Sequence, residues 1–292
     1  MFGWIDDLIS KIEEWFFGIL LGSVEWNLDQ TNNIFTHSIN TVQTQVSQTP
    51  DDFSQTLVET LRTISETAVL PVAGILLTYV FCYEIYSYVT DKNRGNEFDS
   101  GQMFFLIFKT AIVILLVTNS FDITLAFIDL GQWMVNNVPS STLQLPSDIN
   151  ESILESIDGI GYALGMVVLT AIVMIVSFFM AGIIYLVAWS RIIMILLYVS
   201  ISPLPFATLM NKNWIGTIGE TYIRQILALM LQGFFMIVTL VIYAGLLNKT
   251  VELITEAGSP VLGVLMLMVS MGILTLTLTR THSLAKAVVG AI

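Results

Sequence analysis

His37 and His282 are the only histidines in the chain, and Cys82 is its only cysteine. Metal sites gather several such ligands at characteristic spacings, and neither histidine has a companion at one of them. The sequence contains no H-E-x-x-H, G-x-S-x-G, phosphate-binding loop or C-x-x-C pattern. A nucleophile, a base and a group to orient them are not found together, so the expectation is a non-enzyme without cofactor or metal. What remains is a set of polar residues inside apolar runs: Glu84, Lys109, Arg191 and Gln232. An ionised group at bilayer depth costs about 2.5–3.5 kcal/mol on insertion scales, so such groups face protein or water, or reach for the headgroups. Two readings stay open. One is a polar pathway or a transporter coupling site. In the other, Lys109 and Arg191 snorkel to the headgroups while Glu84 nears the cytoplasmic edge beside Lys92.

The elements that must hold these residues follow from composition. Of 292 residues, 55% are hydrophobic and 12% are charged, about half the charged share of a soluble domain. Apolar runs of about 18 residues or more predict an all-α, polytopic membrane protein. Five spans are expected, near 68–90, 103–120, 159–188, 225–247 and 259–279. Pro71 and Pro260 fall in first turns, where a missing N–H does no harm. The third run would be about 45 Å long as a helix, which requires tilt or protrusion.

Residues 1–67 read as an acidic, amphipathic, helical N-terminal region ahead of a transmembrane domain at 68–292. Trp4, Leu8, Ile12, Trp15, Phe16 and Ile19 share one helical face, opposite Asp6, Asp7, Lys11, Glu13 and Glu14. Most helices that lie on membranes carry basic polar faces; this acidic one is better suited to packing on a partner or neighbouring subunit, with a plain membrane-surface helix as the alternative. Its acidic n-region and short apolar stretch argue against a secretory signal. Residues 23–50 are rich in Asn, Gln, Thr and Ser. Thr49 then reads as an N-cap, with Pro50 at the first helical position and Asp51 and Asp52 in the first turn. Residues 121–158 hold six acidic residues and no Lys or Arg, and read as an outer acidic loop. Within it, Ser147 could cap a short helix presenting Ile149, Ile153 and Ile157.

The run 192–202 has only 11 residues before Pro203, a length that favours a re-entrant segment over a span. Charge agrees. If 189–210 is a broken re-entrant hairpin, Arg191, Lys212, Arg224, Arg280 and Lys286 join Lys92, Arg94 and Lys109 on one side, leaving Lys11, Arg62 and Lys249 on the other. The positive-inside rule then puts the N-terminus outside and the C-terminus in the cytoplasm, with an acidic exterior and a mildly basic interior. Interrupted backbone at membrane depth is tolerated where it is buried in protein or lines water. That makes Pro203 and Pro205 candidates for a pore lip or a subunit contact. Gly161 and Gly165 have the small-xxx-small spacing of closely packed helices.

Residues 202–247 carry a more specific pattern. The segment S-P-L-P-F-A (Ser202–Ala207) is followed by a polar loop with Trp214 and glycines, then by Arg224 leading into "LALMLQGFFMI", with Ala228, Leu231, Gln232 and Gly233 in place. This stretch resembles the TrbL-like conjugal transfer proteins, polytopic inner-membrane subunits of type IV secretion systems, in the form found on Gram-positive conjugative elements. The resemblance implies a non-enzymatic channel or platform subunit forming a ring-like homo-oligomer in the cytoplasmic membrane. It would help export a DNA–relaxase complex or protein from the donor cell. The implied partners are the system's ATPases, its coupling protein, a cell-wall hydrolase, the lipid bilayer and, transiently, single-stranded DNA. Pro203, Pro205, Phe206, Gln232 and Gly233 become the candidate pore, hairpin and packing residues, beside Arg191, Glu84, Gly161 and Gly165. The alternative is a secondary transporter, which predicts an internal repeat of hydropathy that the uneven spans lack, or a stand-alone ion or solute channel.

Overall fold

The computed structural model describes residues 3–92, 100–138, 149–211, 215–257 and 259–291. Every regular element among them is helical: α1 (Gly3–Ser47), α2 (Pro50–Ile64), a π-helical turn (Ser65–Val69), α3 (Leu70–Lys92), α4 (Ser100–Thr118), α5 (Ser120–Asn136), α6 (Ile149–Leu154), α7 (Ile160–Ser200), α8 (Pro203–Thr208), α9 (Gly216–Ala257) and α10 (Pro260–Val289). Among the described residues, four helical stretches are long and apolar enough to cross a membrane: Pro50–Thr90, Ile160–Ser200, Gly216–Thr250 and Pro260–Val289. A fifth arises if α4 and α5, bent by 68° at Asn119, act as one broken span. The expected spans therefore all lie on helices. The loop after Lys92 and the cap at Ser147 fall outside the described residues.

The chain divides into two units, each drawn from three separated segments. The first takes α1 up to Gln45, α6, α7 up to Ala188, α9 from Met236 and α10 up to Thr281. Helix α1 continues through the polar stretch to Ser47. Val24, Leu28, Phe35, Ile39 and Val42 are buried, and Asn27, Thr31 and Ser38 fill the positions between them on the same stripe. Hydroxyls return to carbonyls four residues back (Thr31 to Asn27, 2.8 Å; Ser38 to Ile34, 2.7 Å), so buried polar side chains are satisfied without leaving the helix. Asn27 donates to Thr170 Oγ1 at 3.1 Å, and Phe35 lies against Tyr243 at 5.8 Å. The N-terminal apolar face, including Trp4, Leu8, Ile12 and Trp15, is uncovered.

The second unit takes α2 to α5, the end of α7 from Trp189, α8, α9 up to Phe235 and the end of α10 from His282. Thr49 caps α2 as its sequence suggests. Its hydroxyl accepts from Asp52 N at 3.0 Å, and Asp52 Oδ2 accepts from Thr49 N at 3.1 Å. Ser54 interrupts the helix with extended angles (φ −167°, ψ 100°), and its hydroxyl accepts from Leu57 N. The boundary region around residue 67 lies inside the helical stretch Pro50–Thr90, beyond its interruption at Ser54. Residues 121–136, read as part of an acidic loop, belong to α5. Its stripe of Phe121, Thr124, Leu125, Ile128, Gln132 and Val135 is buried, while Asp122 is exposed on the other side. The unit's core joins Val58, Ala73, Val80, Val117, Ile128, Ile195, Phe206 and Ile226.

Two features bear on the expected hairpin at 189–210. Helix α7 runs unbroken through Arg191 to Ser200. The interruption comes at Ile201–Ser202, ahead of Pro203, which sits at the first position of α8. Beyond it the chain reverses: Tyr222 of α9 lies at Tyr198, and Gly233 at Arg191, which is antiparallel order. The return leg is α9, and α8 is only the turn.

Candidate functional site

The candidate residues fall into two clusters in the second unit. The first surrounds α8. Pro203, Pro205 and Phe206 are buried, and Phe206 meets the Tyr222 ring edge-on at 5.8 Å and 70°. A Cβ on Gly219 would lie 2.7 Å from the Pro205 carbonyl oxygen, so the glycine lets α9 press against α8. Tyr222 donates to the Tyr198 carbonyl at 2.8 Å, a group near the end of α7, where helical partners run out. Its hydroxyl also lies 3.2 Å from Thr124 Oγ1. Ser202 Oγ donates to Ser120 Oγ at 3.2 Å, and Ser120 Oγ donates to the Val117 carbonyl at 2.9 Å. Asn119 Nδ2 reaches the Leu115 carbonyl at 2.8 Å. The bend between α4 and α5 and the break between α7 and α8 are thus joined by one buried hydroxyl network, in which side chains satisfy carbonyls released by the interruptions.

The second cluster surrounds Arg191, which is 2% exposed. It does not snorkel. A Cβ on Gly233 would stand 2.6 Å from its Nη2 and 3.3 Å from Val46 Cγ1, so the guanidinium lies directly on the α9 backbone. Its Nε and Nη2 have no hydrogen-bond partner among the described residues. Next to Gly233, Gln232 is buried, and its Oε1 lies 3.1 Å from His282 Nδ1. One turn earlier on α9, a Cβ at Gly131 of α5 would come 2.9 Å from the Met230 carbonyl oxygen. The neighbouring Gln132 is 1% exposed, and neither polar atom of its amide has a partner among the described residues.

Other candidates stand apart. Glu84 is partly buried on α3 and forms no ion pair among the described residues. A Cβ added at Gly161 or Gly165 would meet nothing within 4 Å, so no close helix contact among the described residues accounts for this spacing. Sequence reasoning missed Ser120, Thr124 and Tyr222, and took Ser202 only as part of the S-P-L-P-F-A segment. The visible signal was "NS" at 119–120, a polar pair ending an apolar run. It also missed Arg62, which pairs with both Asp122 carboxylate oxygens (Nη1 to Oδ2, 3.1 Å) and lies 4.7 Å over the Phe121 ring. Among the described residues no group of three His, Cys, Asp or Glu could hold a metal ion.

Long apolar helices, a helical break at a proline and polar groups buried in otherwise apolar packing define a multi-pass membrane protein. The family model described as TrbL/VirB6 plasmid conjugal transfer like protein matches residues 35–203, more than half of the sequence, and the chain belongs to that family. It is a component of a conjugal transfer, or type IV secretion, system. The matched region meets the motif-bearing stretch 202–247 only at Ser202 and Pro203, so family membership rests on α1 to α7 independently of the proline segment. No curated protein and no solved structure matches.

Proposed function

We propose that this chain is a non-enzymatic channel or platform subunit of a conjugative DNA-transfer machine. It forms a ring-like homo-oligomer in the cytoplasmic membrane, with its N-terminal region outside and its C-terminus in the cytoplasm. Residues 1–67 form the extracytoplasmic region and 68–292 the transmembrane part. It works with the system's ATPases, coupling protein and cell-wall hydrolase to pass the DNA–relaxase complex or protein out of the donor. The observation that carries this reading is the family match over residues 35–203. The charge pattern supports it: residues 1–67 have ten acidic residues against Lys11 and Arg62, whereas Arg280 and Lys286 are the only charged residues after 279. An acidic exterior does not hold DNA, since phosphate binding needs clustered Lys and Arg. Weak contact suits a conduit, because tight binding would stall transit.

The test is a mating assay with the gene deleted in the donor and, separately, in the recipient. Transfer is expected to fail only from the deleted donor and to return with the wild-type gene. A Pro203→Ala, Pro205→Ala double variant, present at normal membrane levels, is expected not to restore it. Unchanged transfer from a deleted donor would refute the reading.

A further inference from the structure

Helix α1 carries two stripes of different extent. The inner one holds Leu20, Val24, Leu28 and Phe35, all buried. Asn27 meets Thr170 at 3.1 Å and Thr41 meets Tyr185 at 3.4 Å, so α1 lies lengthwise on α7 and runs in the same direction. Phe17 lines one concavity with Gly159 and Ile160, at the start of α7. N-terminal to it the helix stands clear, and every residue from Asp7 to Phe16 is exposed. There the inner face turns acidic, with Asp7, Glu13 and Glu14. The stripe on the opposite side does the reverse. Leu8, Ile12, Trp15, Ile19 and Trp26 are 45–68% exposed. They follow alternating steps of four and three residues, with Gly22 before the last. Beyond Trp26 the same positions are polar: Asp29, Asn33, Thr36 and Asn40. Steps that average about 3.5 residues form the seam along which a helix packs on another like itself.

Three observations choose what covers this seam. Five of the 16 residues at 4–19 are charged, which keeps the stretch out of hydrocarbon. Nor does it lie flat on a membrane surface, because α1 is unbroken from Gly3 to Ser47 and parallel to a helix long and apolar enough to span. The seam and its flanks hold no carboxylate. Ile9 and Phe16 border it on one side and Lys11 on the other, and Lys11 is already paired with Asp7 of its own helix at 2.8 Å. A cationic partner finds no countercharge there, whereas a second copy meets the seam with apolar side chains at the same spacing. Copies inserted in one orientation also present their seams in parallel. We infer that the outer stripe of α1 joins copies of this chain: Leu8, Ile12, Trp15 and Ile19 pack against the same residues of a second copy, in parallel, around and beyond the start of α7. This contact deepens the homo-oligomer reading above and rests on it for the shared orientation of the copies.

Disulfide trapping of the full chain in membranes tests this, in a Cys82→Ser background with copper phenanthroline as oxidant. Leu8→Cys and Ile12→Cys are expected to give about tenfold more disulfide-linked dimer than Glu14→Cys, because the bond forms only where Cβ atoms approach within about 4.5 Å. Trp15→Glu added to Ile12→Cys puts a charge into the seam and is expected to remove the dimer. Equal yields at positions 12 and 14 would reveal random collision and overturn the inference, as would the absence of dimer at both seam positions. A bifunctional crosslink from position 12 to a different protein, with none between copies, would overturn it in favour of another subunit. Quenching of Trp15 by brominated lipid would assign the stripe to the bilayer instead. Trapped dimer with unchanged mating from a deleted donor would keep the contact and refute the conjugation role; lost mating without trapped dimer would do the opposite.

Discussion

Gly233 and Arg191 form a pair that no local reading of the sequence reveals. The segment "WSRII" is equally compatible with a guanidinium that reaches outward and one that turns inward; the deciding residue is a glycine 42 positions later. Because a Cβ at 233 would meet Nη2 at 2.6 Å and Cζ at 3.0 Å, Gly233→Ala is expected to destabilise the protein by about 1–3 kcal/mol. Gly74→Ala, on α3 with open space around its Cβ position, is expected to stabilise by up to about 1 kcal/mol through helix propensity alone. Thermal unfolding of both variants in one detergent gives the comparison, and equal shifts would contradict the packing described. Gln232 was legible as a polar residue inside a span, but its partner His282 was not, because the two lie on different helices.

At the level of elements, apolar runs and caps were legible and polar stripes were not. Thr49, Pro50 and Asp52 announced the start of α2 by residue type and spacing, and the hydrogen bonds follow that pattern. The buried face of the second half of α1 and all of α5 went unread for a common reason. Their buried faces include Asn27, Thr31 and Ser38, or Thr124 and Gln132, so apolar periodicity is weak where burial is strong. The two backbone interruptions are coupled by Ser202 and Ser120, so their variants should not behave independently. Ser120→Ala and Ser202→Ala are each expected to cost about 0.5–1.5 kcal/mol. The double variant should cost less than the two together, since either single change already breaks the shared hydrogen bond. Additive unfolding energies would show that the bend and the break are separate features.

For the whole molecule, the decisive property is which side of the membrane each end occupies. Cys82 is the only cysteine, so a Cys82→Ser background permits single reporters at Glu14→Cys and Lys286→Cys. Under the proposed orientation, a membrane-impermeant maleimide labels position 14 in intact cells and position 286 only after permeabilisation. The reverse pattern would invert the topology while leaving family membership intact. The spans were readable because lipid demands long apolar helices, whereas the way those helices sort into two units was not. That sorting depends on contacts between segments far apart in the chain, and composition is silent on those.

The bond between Asn27 and Thr170 joins residues 143 positions apart. At synthesis rates of about 5–20 residues per second, α1 therefore exists for roughly 7–30 s before its partner helix has been made. A greasy stripe exposed for that long would invite aggregation. A stripe interrupted by Asn27, Thr31 and Ser38 can wait in water, its hydroxyls already bonded to its own backbone. The polar residues that weaken the apolar pattern of α1 are thus expected to let it outlast the delay before its partner arrives.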